Sequence, residues 1–301
     1  MELRDIEYFA VVAQHGHVGR AADSLEMSQS ALSKSLRRIE NSIGTKIVKR
    51  TPKGVDLTSV GTALLSHVRR LQVAKNDVTR EVADLVRGQA GDLRIGASNG
   101  FAEELVGKAG GILLKEAPKV KLNVKVVTTD GLLATLRNGD FDVAVGAIPS
   151  STSTDLTHEP LLVDEYAVYA PANHKLANRK RLTLADLANE RWVKSAASGF
   201  SWQQLRLAFE KSGLPPPQIA VESDSRAVRL NTMVAAGLLH FSSRPVVRQD
   251  ARLFRIVELH VQEVSWIRRT DVSFRRDAYL SPATQRFIAI LKAVAKEIAA
   301  E

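Results

Sequence analysis

Residues 19–40 read Gly19-Arg20-Ala21-Ala22-Asp23-Ser24-Leu25-Glu26-Met27-Ser28-Gln29-Ser30-Ala31-Leu32-Ser33-Lys34-Ser35-Leu36-Arg37-Arg38-Ile39-Glu40, and their pattern organises the amino-terminal part of the chain. Ala21, Ala22 and Leu25 fit a short helix pressed closely on a neighbour. Ser28 is placed to cap a second helix, its hydroxyl accepting from a backbone N–H that would otherwise lack a partner. Leu32, Leu36, Ile39 and Ile43 then recur at helical spacing and form one apolar stripe. The opposite face carries Ser30, Ser33, Lys34 and Arg37, with Gln29 in the first turn. Short hydrogen-bonding side chains near a helix N-terminus, with cations further along, suit base edges in a major groove and the flanking phosphates.

A solvated amphipathic helix is the plainer reading of that face taken alone. The residues that follow favour the nucleic-acid reading. Residues 46–50 and Gly54-Val55-Asp56-Leu57 are strand-like runs separated by a turn at Pro52-Lys53-Gly54, a hairpin with a basic tip suited to a minor groove or phosphates. Lys34, Arg37, Arg38, Lys46, Lys49, Arg50 and Lys53 face a single acid, Glu40, across residues 34–53. Ahead of this motif, Leu3, Ile6, Phe9 and Val12 mark a supporting helix that ends near Gly16.

Phe9, Ala21-Ala22, Leu25, Ser28 to Ser33, Ile39-Glu40, Gly44, Arg50-Thr51, Leu57-Thr58 and Gly61 together resemble the amino-terminal signature of the LysR-type transcriptional regulators of bacteria. The pattern is long and nearly gap-free, and the similarity extends over essentially the whole chain. It implies an α/β protein with an N-terminal winged helix-turn-helix over 1–58 and a linker helix over 59–90. A two-lobed effector domain like the periplasmic binding proteins then occupies 91–301, with lobe I near 91–162 and 265–301 and lobe II near 163–264.

The 301-residue length suggests two domains. A formal charge of +9 points weakly to a polyanionic partner. With no cysteine, disulfides, thiolate metal sites and thiol redox sensing are excluded. No run approaches membrane-spanning length and the N-terminus lacks a secretory pattern, so a cytoplasmic protein without a membrane partner is expected.

From Thr58 or Ser59 a long helix begins. Within it Leu64, Leu71, Val78 and Leu85 repeat every seven residues, with Val68, Lys75 and Val82 between them. These alternating steps describe a coiled-coil seam in which Lys75 is the polar exception that fixes register. A long helix packed on its own domain is the competing reading. The resemblance favours dimerisation here and implies a tetramer built as a dimer of dimers.

Gly88 and Gly91 end the helix. Strands at 93–97, 122–126 and 141–146 alternate with helices near 102–117 and 129–136, which predicts a parallel α/β sheet. Further elements are expected near 183–188, 191–193, 202–211, 219–221, 227–236 and 238–241, then a strand about Val264–Trp266 and a final helix capped by Ser281-Pro282. That the tail returns to the first lobe is implied by the resemblance alone.

Ligands of open parallel sheets sit beyond the carboxyl ends of strands, where helix N-termini converge. Ser98-Asn99-Gly100, Thr128-Thr129-Asp130 and Ser198-Gly199-Phe200-Ser201 are three such places, each able to receive a carboxylate or another anion. Phe200 and Trp202 could add an apolar wall, and Gly146 ends the third strand at the same level. Taken singly, these hydroxyls also read as simple N-caps. The family pattern Gly-Leu-Gly-Ile-Ala-Leu-Leu-Pro is replaced by Gly237-Leu238-Leu239-His240-Phe241-Ser242-Ser243-Arg244-Pro245, which alters one wall of the expected cleft.

No metal-binding His-Glu-x-x-His, phosphate loop or dinucleotide fingerprint is present, so neither a cofactor nor catalysis is expected. Gly199-Phe200-Ser201-Trp202-Gln203 begins like a nucleophile elbow but lacks its final glycine. The reading is therefore a sequence-specific DNA-binding regulator. Gln29, Ser30 and Ser33 meet base edges, while Lys34, Arg37, Arg50 and Lys53 hold the backbone or reach the minor groove. Its other partners are a small-molecule effector, an inverted-repeat operator and, by resemblance, RNA polymerase. Two alternatives remain: an architectural DNA-binding protein without effector, and a solute-binding or catalytic α/β protein.

Overall fold

The computed structural model describes residues 1–52, 54–87, 91–98, 101–148, 154–195, 199–264 and 266–300. They form two compact units, Met1–Ala83 and Asp84–Glu301.

In the first unit, α1 (Leu3–His15), α2 (Val18–Ser24) and α3 (Gln29–Ile43) enclose a core of Phe9, Val12, Ala21, Leu32 and Ile39, all buried. Gly16 and Gly44 end α1 and α3 in the left-handed conformation. Ser28 caps α3 as expected, its Oγ accepting from the Ala31 N–H at 3.2 Å. Ile43 is 38% exposed and drops out of the expected stripe, because it lies in the last turn beyond the core. Strands β1 (Val48–Thr51) and β2 (Gly54–Leu57) pair antiparallel to make the wing.

The wing is fixed at its base. The Val55 N–H donates to the Gly16 carbonyl at 2.8 Å, and a Cβ on Gly54 would lie 2.2 Å from that oxygen. A glycine is required at Gly54 on two counts, since its φ is also +136°. Helix α4 (Ser59–Arg87) follows, with Thr58 Oγ1 accepting from the Gly61 N–H at 3.0 Å.

The second unit is built on a sheet of β3 (Asp92–Ser98), β4 (Lys121–Val127), β5 (Val143–Gly146), β6 (Leu156–Pro171), β7 (Arg191–Lys194), β8 (Gln218–Glu222), β9 (Leu239–Ser243), β10 (Ile256–Leu259) and β11 (Trp266–Arg275). Their order is β4-β3-β5-β11-β6-β9-β7-β8, with β10 paired to β6. Two parallel triplets, β4-β3-β5 and β9-β7-β8, are thus joined by the antiparallel pair β6 and β11.

Helices α5 (Gly107–Glu116), α6 (Thr129–Arg137), α7 (Leu184–Leu187), α8 (Gly199–Lys211), α9 (Arg226–Ala236), α10 (Arg244–Phe254) and α11 (Pro282–Ala300) cover the sheet. Phe287, Leu291 and Val294 of α11 share one buried cluster with Leu93, Ile95 and Leu113. The tail therefore returns to lobe I. Trp192, Phe209 and Leu239 centre the corresponding cluster of lobe II. A π-helical turn, Ala102–Val106, precedes α5 where a plain helix start was expected. In it the Val106 N–H reaches back to the Phe101 carbonyl at 3.0 Å.

Candidate DNA-binding surface and effector cleft

Helix α3 presents Gln29, Ser30, Lys34 and Arg37 exposed and Ser33 half-buried. Two of the seven cations counted in this window are committed within the domain. Arg38 donates to buried Asp5 through Nε (3.1 Å to Oδ2) and also through Nη2, and Ser35 Oγ donates to Asp5 Oδ1 at 2.7 Å. The Arg38 hydrogen bond, opposed by burial and aided by Ser35, holds the Asp5 carboxyl at about 2. Lys46 pairs with Glu40 at 2.7 Å, and the Ile47 N–H donates to the same carboxylate at 3.3 Å. These bonds set the angle of α3 on α1 and the start of the wing. Lys34, Arg37, Lys49 and Arg50 make no ion pair among the described residues, so their charge is available to phosphates. Lys53 lies outside the described residues.

Along α4 the expected seam divides. Val68 is buried and Leu64 half-buried in the core of the DNA-binding unit itself. Val68 is therefore corrected from a partner contact to an internal one. Leu71, Val78, Val82 and Leu85 are 50–79% exposed and form the apolar stripe available to a partner helix. Lys75 Nζ bonds Glu7 Oε1 at 2.6 Å on α1, which takes its charge out of the seam and against its own domain.

In lobe I, Ser98 ends β3 with its Oγ buried and unpartnered. The β3–β5 register sets Ser98 beside Gly146, where a Cβ would meet Ser98 Oγ at 3.0 Å and Leu132 Cδ1 at 2.7 Å. Asp271 faces Gly146 from β11. Its carboxyl is 7% exposed and burial pushes its pKa up. Thr128 caps α6, its Oγ1 accepting from the Gly131 N–H at 3.1 Å. Asn99, Gly100 and Ser198 lie outside the described residues, as do the side chains of Thr129 and Phe200.

In lobe II, Ser201 is buried at the start of α8 and hydrogen-bonds the Tyr166 hydroxyl. Trp202 is half-buried, its ring standing edge-on to Trp192 at 5.9 Å and packing against the lobe II core. Four residues that the sequence reading did not assign to the cleft complete the crossover. Arg268 on β11 pairs with buried Asp164 on β6 at 3.1 Å. Its guanidinium lies 5.0 Å from the Phe101 ring of lobe I and 4.8 Å from the Tyr166 ring on the lobe II side. Strand pairing is what could have exposed this pair, since Arg268 and Asp164 stand opposite in register.

A winged helix-turn-helix followed by a bilobed α/β unit is the architecture of a DNA-binding protein with a ligand-responsive domain. Residues 3–62 match the bacterial regulatory helix-turn-helix protein family of the lysR type, and residues 87–296 match the LysR substrate binding domain. The chain belongs to the LysR family of transcriptional regulators. It is 30% identical to the regulator GbpR of Azospirillum brasilense, over 78% of this chain and 69% of that one. It is 25% identical to AlsR of Bacillus subtilis, over 96% and 95% respectively.

Among solved structures, full-length CbnR complexed with its target DNA aligns at a TM-score of 0.64 and 19% identity, covering 98% of this chain and all of that one. The regulatory domain of Synechocystis PCC6803 CcmR in complex with 2-PG aligns at 0.60 and 21% identity, covering 68% of this chain and 98% of that one. Among the described residues no helix is long and apolar enough to cross a membrane.

Proposed function

We propose that this regulator reads an inverted-repeat operator as a dimer of dimers in the cytoplasm, and that a small molecule bound between its lobes alters its contact with RNA polymerase. The observation that carries the DNA half is the free polar and cationic face of α3, held at a fixed angle by Asp5 while its own cations remain unpaired. Gln29, Ser30 and Ser33 contact base edges. Lys34, Arg37, Arg50 and Lys53 contact phosphates or the minor groove. Leu71, Val78, Val82 and Leu85 of α4 dimerise. Complexes of CbnR with DNA and of CcmR with 2-PG support the same division of labour.

The effector meets Ser98, Thr128 and Ser201 between the lobes, with Asn99, Gly100, Thr129 and Phe200 alongside. An acidic group, such as a carboxylate, suits the helix N-termini. Binding on operator and scrambled duplexes at fixed salt tests the DNA roles. Ser33→Ala should reduce discrimination by roughly tenfold, one base contact's worth. Lys34→Ala should weaken both complexes alike and flatten the salt slope by about one. The reverse pattern would exchange the two roles.

A further inference from the structure

Two buried polar atoms at the crossover between the lobes, Arg268 Nε and Thr270 Oγ1, have no hydrogen-bond partner, and on the same face of the sheet the buried Asp164 carboxylate is met by Arg268 and by the Ser243 hydroxyl. Their common face follows from register. Arg268 stands opposite Asp164, while Tyr166 stands opposite both Trp266 and Ser243. Thr270 is two residues along from Arg268 on β11. Buried polar atoms are rarely left unsatisfied, and a cluster of them calls for a polar occupant. The face is enclosed from lobe I by Phe101 and from lobe II by Tyr166 with Ser201. An occupant here would touch both lobes at once.

The charges decide its chemistry. Asp164 and Arg268 already neutralise one another, so a simple carboxylate would bring an unbalanced negative charge into a buried site beside a carboxylate. Burial pushes the Asp164 pKa up in spite of Arg268, so the anion is under-compensated and gains from an added donor or cation. Arg268 retains an unused N–H for an acceptor. A ligand carrying both groups on adjacent atoms leaves the site neutral and satisfies both partners.

We propose that the crossover reads the effector as a free α-amino acid, its ammonium on Asp164 and its carboxylate on Arg268. This rests on the effector reading above and specifies its chemical class. The hydroxyls of Thr270 and Ser243 supply further hydrogen bonds. Contact with Phe101 and Tyr166 together makes occupancy sensitive to how the lobes stand on one another.

The test is thermal unfolding of the full chain with each of the common L-amino acids in turn, each paired with its deaminated carboxylate and its decarboxylated amine, and with a set of sugars and aromatic acids. One amino acid should raise the midpoint by roughly 5 °C at about a hundredfold excess over Kd, while its carboxylate and amine partners do not. Asp164→Asn and Arg268→Gln should each remove that rise. Native tryptophan fluorescence of both variants, all three tryptophans lying in the second unit, shows that this unit is folded, and Thr270→Val supplies a milder change that should weaken the rise without abolishing it. If no amino acid raises the midpoint, the inference is overturned. A sugar or aromatic acid acting in their place, unaffected by Asp164→Asn, would overturn it while leaving the effector reading standing. Silence across every class would overturn both.

Discussion

Asp5 offers the sharpest test of how the recognition helix is aimed. Its carboxylate is 1% exposed and receives Ser35 Oγ at 2.7 Å and Arg38 Nε at 3.1 Å, both from α3. Asp5→Ala leaves the fully buried Ser35 hydroxyl without an acceptor, a loss of about 1–3 kcal/mol. The Arg38 side chain is 55% exposed and can turn to water, so its share is at most ~1 kcal/mol. The sum is about 1–4 kcal/mol for the packing of α3 on α1. Ser35→Ala alone removes the donor and leaves Arg38 in place, about 1 kcal/mol. The double variant should fall short of additivity by about 1 kcal/mol, because the second substitution removes the orphan that the first created.

Trp192, Trp202 and Trp266 all lie in the second unit, so tryptophan fluorescence is blind to this change. Hydrogen exchange of peptides from residues 1–45 in the full chain reads it directly. Operator affinity should fall in step although Asp5 touches no DNA. Strict additivity, or unchanged protection of α3 in Asp5→Ala, would refute the assignment. The acid limb follows from the same bonds. With the carboxyl held at about 2, its stabilisation is present above the ordinary aspartate range and is lost as pH falls towards 2.

Gly54→Ala sets a Cβ 2.2 Å from the Gly16 carbonyl at a φ of +136°, so the wing should lose at least about 2 kcal/mol of stability and the protein much of its affinity for all duplexes; limited proteolysis at 48–57 and duplex titration check both. Val78→Glu with Leu85→Glu on exposed α4 positions should reduce the tetramer to dimers by sedimentation velocity while leaving the midpoint of unfolding of the second unit unchanged. His240 is held neutral at about 4 by burial, helped by the nearby charges of Arg229 and Arg226 and opposed by its bond to the Val193 carbonyl. The unfolded imidazole takes its proton near 6.5, so the native state binds fewer protons between these values and stability must fall as pH drops through that window, by up to about 3 kcal/mol. His240→Gln should flatten that limb of a denaturation series run from pH 7 to pH 4, and an unchanged slope would refute it.

Legibility in the sequence follows the range of the interactions involved. The helix-turn-helix was readable because its determinants are local: Ser28 caps within three residues, Gly16 and Gly44 stop their helices in place, and Leu32, Leu36 and Ile39 repeat on one face. The parallel strands of both lobes were readable for the same reason, being short apolar runs between helices. What escaped were the strands that cross between lobes. Strand β11 reads Trp266-Ile267-Arg268-Arg269-Thr270-Asp271-Val272-Ser273-Phe274-Arg275, and charged residues interrupt the alternation by which a strand is recognised. Helix α10 and strand β10 were not anticipated either.

The same cause hid the polar residues buried at the crossover. Asp164 and Arg268 are separated by 104 residues in sequence and become neighbours only through the β6–β11 register. Asp271 reaches Gly146 by the same route. The loops at Ser98 and Thr128 carried a legible helix-N-terminus signal, whereas Arg268 in a list of basic residues looks like solvated surface. Its environment reverses that reading: a guanidinium between two aromatic faces, paired to a carboxylate with no exposed surface, is fixed by tertiary structure alone. Charge count along the chain is accordingly a guide to the DNA-facing half, where Lys34, Arg37, Lys49 and Arg50 stay in water. In the effector half the informative charges are those the fold has buried, and their chemistry is read from their partners in the sheet.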